Sequence, residues 1–424
     1  MSFFFHRWFK FLLGALVFLF FLITIRDVYA QPEGPPPPPY TSSAHGNSTT
    51  GVSGRISGYG TGNCAHCHEQ HASVGGTATS PDEYLLFQDY QNGTYNAFCT
   101  TECHDGTAGR GDNIALQYTK TYTHPDTGIH TPGESTQSAF GVRHGYCIDC
   151  HNPHVAKKID RTVGSNLVSD GPLLNVSGVT VGATGAWTDP SHTFISAGTG
   201  ITYEYQLCFK CHSTWPSPLP PSGRNAPKEF NPANASFHPV ELNLGDGSSG
   251  SSALDADQML APWKVGTLTD TQGTKTMYCS DCHGSETSSD PAGPHGSTNP
   301  KILKGRWPDN SSGVLWTLAD ADATKANSFD TECLCLNCHP VYPWQNEGHS
   351  YSSHLSAYCV RCHVGLPHGS ANGRLIAYSS DSAPYNYGGN SSMVIKFTKA
   401  SPPKTAYGDS NCDNESACTQ GQNH

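Results

Sequence analysis

Six segments of the chain share the form Cys-x-x-Cys-His: Cys64-Ala-His-Cys67-His68, Cys147-Ile-Asp-Cys150-His151, Cys208-Phe-Lys-Cys211-His212, Cys279-Ser-Asp-Cys282-His283, Cys335-Leu-Asn-Cys338-His339 and Cys359-Val-Arg-Cys362-His363. With 17 cysteines and 22 histidines in 424 residues, random placement gives far fewer than one such match, so six are a design. Two thiols three residues apart sit on one tight turn, where both can add across the two vinyl groups on one edge of a porphyrin. The adjoining His then falls over the iron as an axial ligand. Cysteine pairs at this spacing also serve zinc sites and disulfides. The His after every second cysteine, in a chain that begins with an export leader, points instead to covalently attached heme c.

A seventh segment, Cys99-Thr-Thr-Glu-Cys103-His104, has one more residue between its cysteines. A bulged loop can absorb it, because attachment constrains only the two sulfurs and the ligand. A seventh heme is expected here, the alternative being a disulfide beside a surface His. Cys333 could extend the sixth motif in place of Cys335, although the standard spacing favours Cys335. Cys412 and Cys418 have no following His, and in an oxidising compartment they form a C-terminal disulfide or stay as thiols.

The second axial ligand decides between electron transfer and catalysis. An iron held by two protein ligands has no vacant position, whereas a catalytic one needs an open site. Methionine is scarce, with Met259, Met277 and Met393 alone beyond the leader, so His/Met ligation cannot be general. His71 and His154 each lie three residues after a motif His, too close to reach the far face of the same heme. Each therefore serves a neighbouring heme, which forces hemes into packed pairs. His124 and His238 both precede Pro downstream of a motif, His295 and His368 both stand in Pro-His-Gly-Ser, and His144 and His354 lie just upstream of a cysteine pair. These eight exceed the seven required, so one is structural or serves another subunit. His45, His66, His130, His192, His349 and His424 are weaker candidates.

The elements that must position these groups are short. Gly 44 and Pro 30, with hydrophobic residues at 36%, favour turns and irregular backbone. The expected fold is a mostly irregular, coil-rich multiheme architecture with short helices, few short strands and a core built around a chain of packed hemes. Short helical turns carry the cysteine pairs. Val176 to Ala183 reads as a strand, and Arg374 to Tyr378 with Met393 to Phe397 reads as a C-terminal hairpin.

Along the chain, residues 1–30 read as a signal peptide, with His6, Arg7 and Lys10 before the apolar stretch Phe11 to Ile25 and Val28-Tyr29-Ala30 as the cleavage site. An uncleaved anchor is the alternative, but the apolar run falls short of the roughly 20 residues a spanning helix needs. No stable membrane span is expected after cleavage. Residues 31–60 read as a Pro/Ser/Gly-rich arm, 61–370 as a heptaheme domain, and 371–424 as the C-terminal hairpin and tail. The formal net charge is −11 at pH 7, and loss of the leader leaves the remainder more acidic. That balance argues against nucleic acid or anionic lipid as a partner.

Over roughly residues 61–370 the chain resembles the exported multiheme cytochromes of metal-reducing bacteria, on Cys147-x-x-Cys150-His151-Asn-Pro-His154, Cys279 to His295 and Cys359 to His368. Some of these are similar in size and coil content and polymerise head to tail into extracellular conductive filaments, or nanowires. The resemblance implies seven bis-histidine c-type hemes in one line and electron transport at the cell surface or outside the cell. It further implies self-association into a filament and redox partner cytochromes or extracellular acceptors. A monomeric periplasmic shuttle, or a multiheme oxidoreductase with one open heme, is the competing expectation. No Cys-x-x-Cys-Lys segment occurs to favour the enzyme.

Overall fold

The computed structural model describes residues 39–68, 86, 97–107, 110–124, 145–158, 161–168, 170–216, 224–244, 254–255, 259–264, 271–272, 274–307, 333–339, 363–378, 380–382 and 385. Irregular backbone dominates these residues, as the Gly and Pro content requires. The longest helix has eight residues and the longest strands four. Among the described residues are helices α1 (Ala97–Glu102), α2 (Ile114–Gln117), α3 (Cys147–Cys150), α4 (Glu204–Cys211) and α5 (Ala226–Glu229) and eight strands. No described helix is long and apolar enough to cross a membrane.

The strands form four antiparallel pairs. Strands β2 (Gly178–Val181) and β3 (His192–Ile195) make a hairpin; β2 lies within Val176 to Ala183, expected to be extended, and β3 was not expected. β5 (Leu254–Asp255) pairs with β6 (Thr271–Gln272). The other two pairs join distant segments: β1 (Tyr122–Thr123) with β7 (Gly296–Ser297), and β4 (Ser236–Phe237) with β8 (Gly369–Ser370). Side chains supply two small apolar clusters. One gathers Val179, Phe209, Ala226, Phe230, Val240 and Met277, and the other Val168, Val176, Ile201, Leu207 and Tyr278. Helix α4 lies between them, with Leu207 in one and Phe209 in the other.

The two long-range ladders belong to one repeated unit. Pro294 to Leu303 and Pro367 to Ile376 fold alike. Ser297 Oγ and Asn299 Nδ2 donate to Leu303 O at 2.7 and 3.2 Å, and Ser370 Oγ and Asn372 Nδ2 donate to Ile376 O at 3.1 and 3.2 Å. Both then turn through two left-handed residues, Lys301 and Ile302 (φ 62° and 55°) and Arg374 and Leu375 (φ 58° and 55°). That conformation costs roughly 1–2 kcal/mol per non-glycine residue. It is held by Gly284 N donating to Ile302 O and Val364 N to Leu375 O, each at 2.7 Å. Arg374 and Leu375 therefore form a tight turn rather than the start of a strand. Met393 to Phe397, the other half of the expected hairpin, lies outside the described residues.

The strands β7 and β8 approach foreign backbone closely. A Cβ on Gly369 would stand 2.0 Å from the carbonyl oxygen of Glu229, and one on Gly296 equally close to that of Gln117. Gly369→Ala is accordingly expected to cost about 1–3 kcal/mol through overpacking against backbone. A lowered thermal midpoint would show it, with Gly171→Ala, which meets nothing within 4 Å, as the unaffected control.

Residues 39–60 depart from a free arm. Ser43 is buried, Ala44 N donates to Ala156 O at 2.8 Å, and Arg55 Nη1 donates to His66 O at 3.0 Å. A segment poor in apolar side chains is thus tied down through its backbone. Residues 1–38, which hold the expected leader and the Pro run, lie outside the described residues.

Candidate functional site

Each described motif closes one turn in the same way. The amide of the motif His donates to the carbonyl of the first cysteine: His68 to Cys64 (2.9 Å), His151 to Cys147 (2.8 Å), His212 to Cys208 (2.9 Å), His283 to Cys279 (3.0 Å) and His339 to Cys335 (3.0 Å). In the longer segment His104 makes this same bond to Cys99 at 2.9 Å, while Cys103 N also reaches Cys99 O at 3.3 Å. The extra residue is taken up as a widened turn. The closing bond of the Cys335 turn reaches Cys335, while Cys333 stands before the turn in extended conformation (φ −144°, ψ 120°). In two motifs an Asp caps the turn: Asp149 Oδ2 accepts from Tyr146 N at 2.8 Å and Asp281 Oδ2 from Tyr278 N at 2.9 Å.

Five pairs of imidazoles face each other at nearly one spacing. The ring centroids of His68 and His154 are 6.0 Å apart, and those of His104 and His45, His151 and His295, His212 and His124, and His283 and His368 are each 6.2 Å apart. Every pair joins one motif His to one His outside the motifs. A metal–imidazole nitrogen bond is about 2 Å, and the ring centre lies roughly 1 Å farther on, so two imidazoles across one metal have centroids about 6 Å apart. The observed spacing matches that of two rings with one metal between them. The motif residues fit heme c.

The other ring nitrogen is often engaged. Nδ1 of His45, His104, His151, His283 and His363 lies 2.9 to 3.2 Å from the carbonyls of Pro153, Asp112, Pro172, Lys301 and Arg374, and His238 Nδ1 bonds Pro367 O. A carbonyl acceptor fixes the proton on Nδ1 and leaves Nε2 with its lone pair, as metal-binding histidines require. Burial favours this neutral form, pushing His238 and His283 down to about 4 and His295 to about 3.

Consecutive motifs are neighbours in space. The thiols of Cys99 and Cys147 are hydrogen-bonded, as are those of Cys208 and Cys279. Cys67 is close enough to Cys103 to interact electrostatically, Cys150 to Cys211, Cys282 to Cys335, and His339 to His363. The motifs therefore follow one another in sequence order from Cys64 to His363. The facing histidines arrive in adjacent twos. His124 N donates to His295 O at 3.2 Å at the end of the β1–β7 ladder, and His238 N to His368 O at 3.0 Å at the end of β4–β8. His45 Nδ1 bonds Pro153 O beside His154.

One cavity of about 2860 Å³ runs past Cys99, Cys147, Cys208 and Cys279 and is bounded by His45, His124, His295 and His368 among others. A pocket for one small molecule has roughly 300–1,000 Å³, so this space suits several large groups in succession. Zinc fits the residues less well. Among the described residues no three His, Cys, Asp or Glu side chains converge as metal ligands.

Of the expected second ligands, His124, His154, His295 and His368 face motif histidines, and His238 lies within electrostatic reach of His339. His71, His144 and His354, with Cys359, Cys362, Cys412 and Cys418, lie outside the described residues. His45, weakly ranked on sequence, faces His104. It sits in a low-complexity segment with no motif beside it, so no sequence signal marked it. His66 uses both ring nitrogens locally, Nδ1 with Ile56 N at 3.3 Å and Nε2 with Gly60 O at 3.1 Å, and His192 stacks on Trp215 at 4.3 Å. No protein family matches the chain, nor does any curated protein or solved structure.

Proposed function

We propose that this chain holds seven c-type hemes in sequence order and serves as an exported electron-transfer protein. The observation that carries this reading is the set of five facing imidazole pairs, each combining a motif His with a His from elsewhere. Heme c, once attached, supplies an iron that cycles between ferric and ferrous forms and so carries single electrons. The cysteine pairs Cys64/Cys67, Cys99/Cys103, Cys147/Cys150, Cys208/Cys211, Cys279/Cys282, Cys335/Cys338 and Cys359/Cys362 would hold the hemes covalently. His68, His104, His151, His212 and His283 close one face of their positions, and His154, His45, His295, His124 and His368 close the other. Water and substrate are thereby excluded from those five positions, which favours electron transfer over catalysis. The contacts between successive motifs keep neighbouring positions close enough for electrons to pass along the chain.

Intact mass and heme content of the mature protein test the count, since fewer than seven hemes would remove the Cys99 site or another. The interplanar angles divide the positions into two kinds. The His68/His154 and His151/His295 pairs are near-parallel at 11° and 27°, and the other three lie at 64° to 82°. Ring orientation sets the splitting of the iron d orbitals. Low-temperature EPR of the oxidised protein is expected to show low-spin signals alone, in a rhombic class and a strongly anisotropic class. A stoichiometric high-spin signal would instead put an open, enzyme-like site in the chain.

Head-to-tail assembly into an extracellular filament is what the resemblance adds. His45, which a free arm could have offered to a second copy, faces His104 of its own chain. Electron microscopy of the purified protein decides assembly, and monodisperse particles would leave a periplasmic shuttle as the better description.

A further inference from the structure

The repeated unit places a different side chain behind two otherwise equivalent histidines. In one copy the carbonyl of Gln117 closes against Gly296, next to His295; in the other the carbonyl of Glu229 closes against Gly369, next to His368. Both side chains are buried, Gln117 at 1% exposure and Glu229 at 0%. Their polar ends behave differently. Glu229 Oε2 lies 2.7 Å from His368 Nδ1, whereas His295 Nδ1 is buried with no hydrogen-bond partner. At His45, His104, His151 and His283 the Nδ1 partner is a neutral backbone carbonyl.

We propose that Glu229 is a redox-tuning residue that lowers the potential of the iron held between His283 and His368 relative to the one held between His151 and His295. The proposal rests on the heme reading above and adds a difference between two sites that reading treats as alike. Arg224 Nη2 also lies 2.9 Å from His368 Nδ1 and donates to Glu229 Oε2 at 2.9 Å. Only one tautomer of His368 permits ligation. A ring that accepts from Arg224 at Nδ1 carries its proton on Nε2 and has no lone pair for a metal. A ligating His368 therefore carries the proton on Nδ1 and donates it to the Glu229 carboxylate. A carboxylate acceptor draws that proton away more strongly than a carbonyl does and makes the imidazole a better electron donor. Ferric iron, with the higher charge, gains more from this than ferrous iron, so the potential falls. Arg224 and Tyr385, whose hydroxyl donates to Glu229 Oε1 at 3.0 Å, hold the carboxylate in place. In the corresponding unit the buried Gln117 side chain makes no hydrogen bond to His295.

Optical redox titration of two complementary variants tests this, with heme content measured by mass on the same samples. Glu229→Gln keeps the shape and is expected to move one component upward, by at least a tenfold change in the ferric-to-ferrous preference, or about 59 mV for one electron. Gln117→Glu is expected to move a different component downward. A purely structural Arg224–Glu229 pair would change stability and leave both components where they are. Unchanged titrations in fully loaded variants would overturn the tuning role and leave the heme reading intact. If Glu229→Gln loses heme, the Gln117→Glu titration decides alone, and no downward shift there overturns the proposal. Wild-type protein purified without heme would overturn both.

Discussion

On the proposed heme reading, replacing His45 with Ala is expected to convert one low-spin heme into a high-spin, carbon monoxide-binding heme while all seven remain attached. The expectation follows from where the two functions of the site reside. Attachment at this position belongs to Cys99 and Cys103, which the substitution does not touch, and one axial ligand stays as His104. The other face is closed by His45, whose ring centre stands 6.2 Å from that of His104. Removing it leaves an iron with one protein ligand and room for an exogenous one. His45→Met sharpens the test, since a thioether in place of imidazole keeps the iron low-spin but raises its potential. His66→Ala is the control, because both nitrogens of that ring are already used by Ile56 and Gly60. Optical and EPR spectra with and without carbon monoxide read all three. A His45→Ala protein that stays wholly low-spin and ignores carbon monoxide would show that the ring packs near His104 without serving the iron.

What the sequence revealed and what it hid follow from how far each signal reaches. The motif turns were legible because they are local: two cysteines and a histidine within one turn, closed by one amide-to-carbonyl bond. Even the longer Cys99 segment obeys this, with the bond from His104 reaching back one residue more. The coil-rich architecture was legible from the Gly and Pro content, since neither long helices nor broad sheets survive such punctuation. The shared surroundings of His124 and His238, and of His295 and His368, were visible as words in the sequence. Their meaning was not. Only the ladders β1–β7 and β4–β8 show that each word belongs to one half of a cross-chain pair.

Pairing could not be read because the ligand of one motif comes from a segment far along the chain. His295 meets His151 and His368 meets His283, and no local pattern records that distance. His45 shows the limit most clearly. It lies where composition predicts a solvated arm, yet Ala44 N bonds Ala156 O at 2.8 Å and holds it beside His154. Backbone hydrogen bonds of this kind do not depend on side-chain type, so composition gives no warning of them. Glu229 was equally silent, being one acidic residue in a polar stretch whose burial is created by Arg224, His368 and Tyr385.

Chain produced without heme attachment is expected to show no cooperative unfolding transition at all. The apolar clusters around Phe209 and around Leu207 are small, and the space beside them is a cavity of about 2860 Å³. A space of that size cannot stay dry and empty in a chain whose stability is the roughly 5–15 kcal/mol of a typical domain. Water can enter instead, but it then wets the apolar side chains that line the space and removes their reason to stay assembled. On the proposed reading, attachment is expected to be part of folding, as metal binding is for small metal-dependent domains. Partial loss should be graded by position. Removing Cys208 and Cys211 together deletes the site carried on α4, between the two clusters, and is expected to abolish cooperative melting along with one heme. Removing Cys64 and Cys67 acts where Cys64 is exposed, and it should cost one heme while the rest of the chain still melts as a unit. Circular dichroism melts and limited proteolysis distinguish these cases. A heme-free chain that melts sharply and resists protease would mean that the polypeptide holds its own fold and that the cavity is only a receptacle.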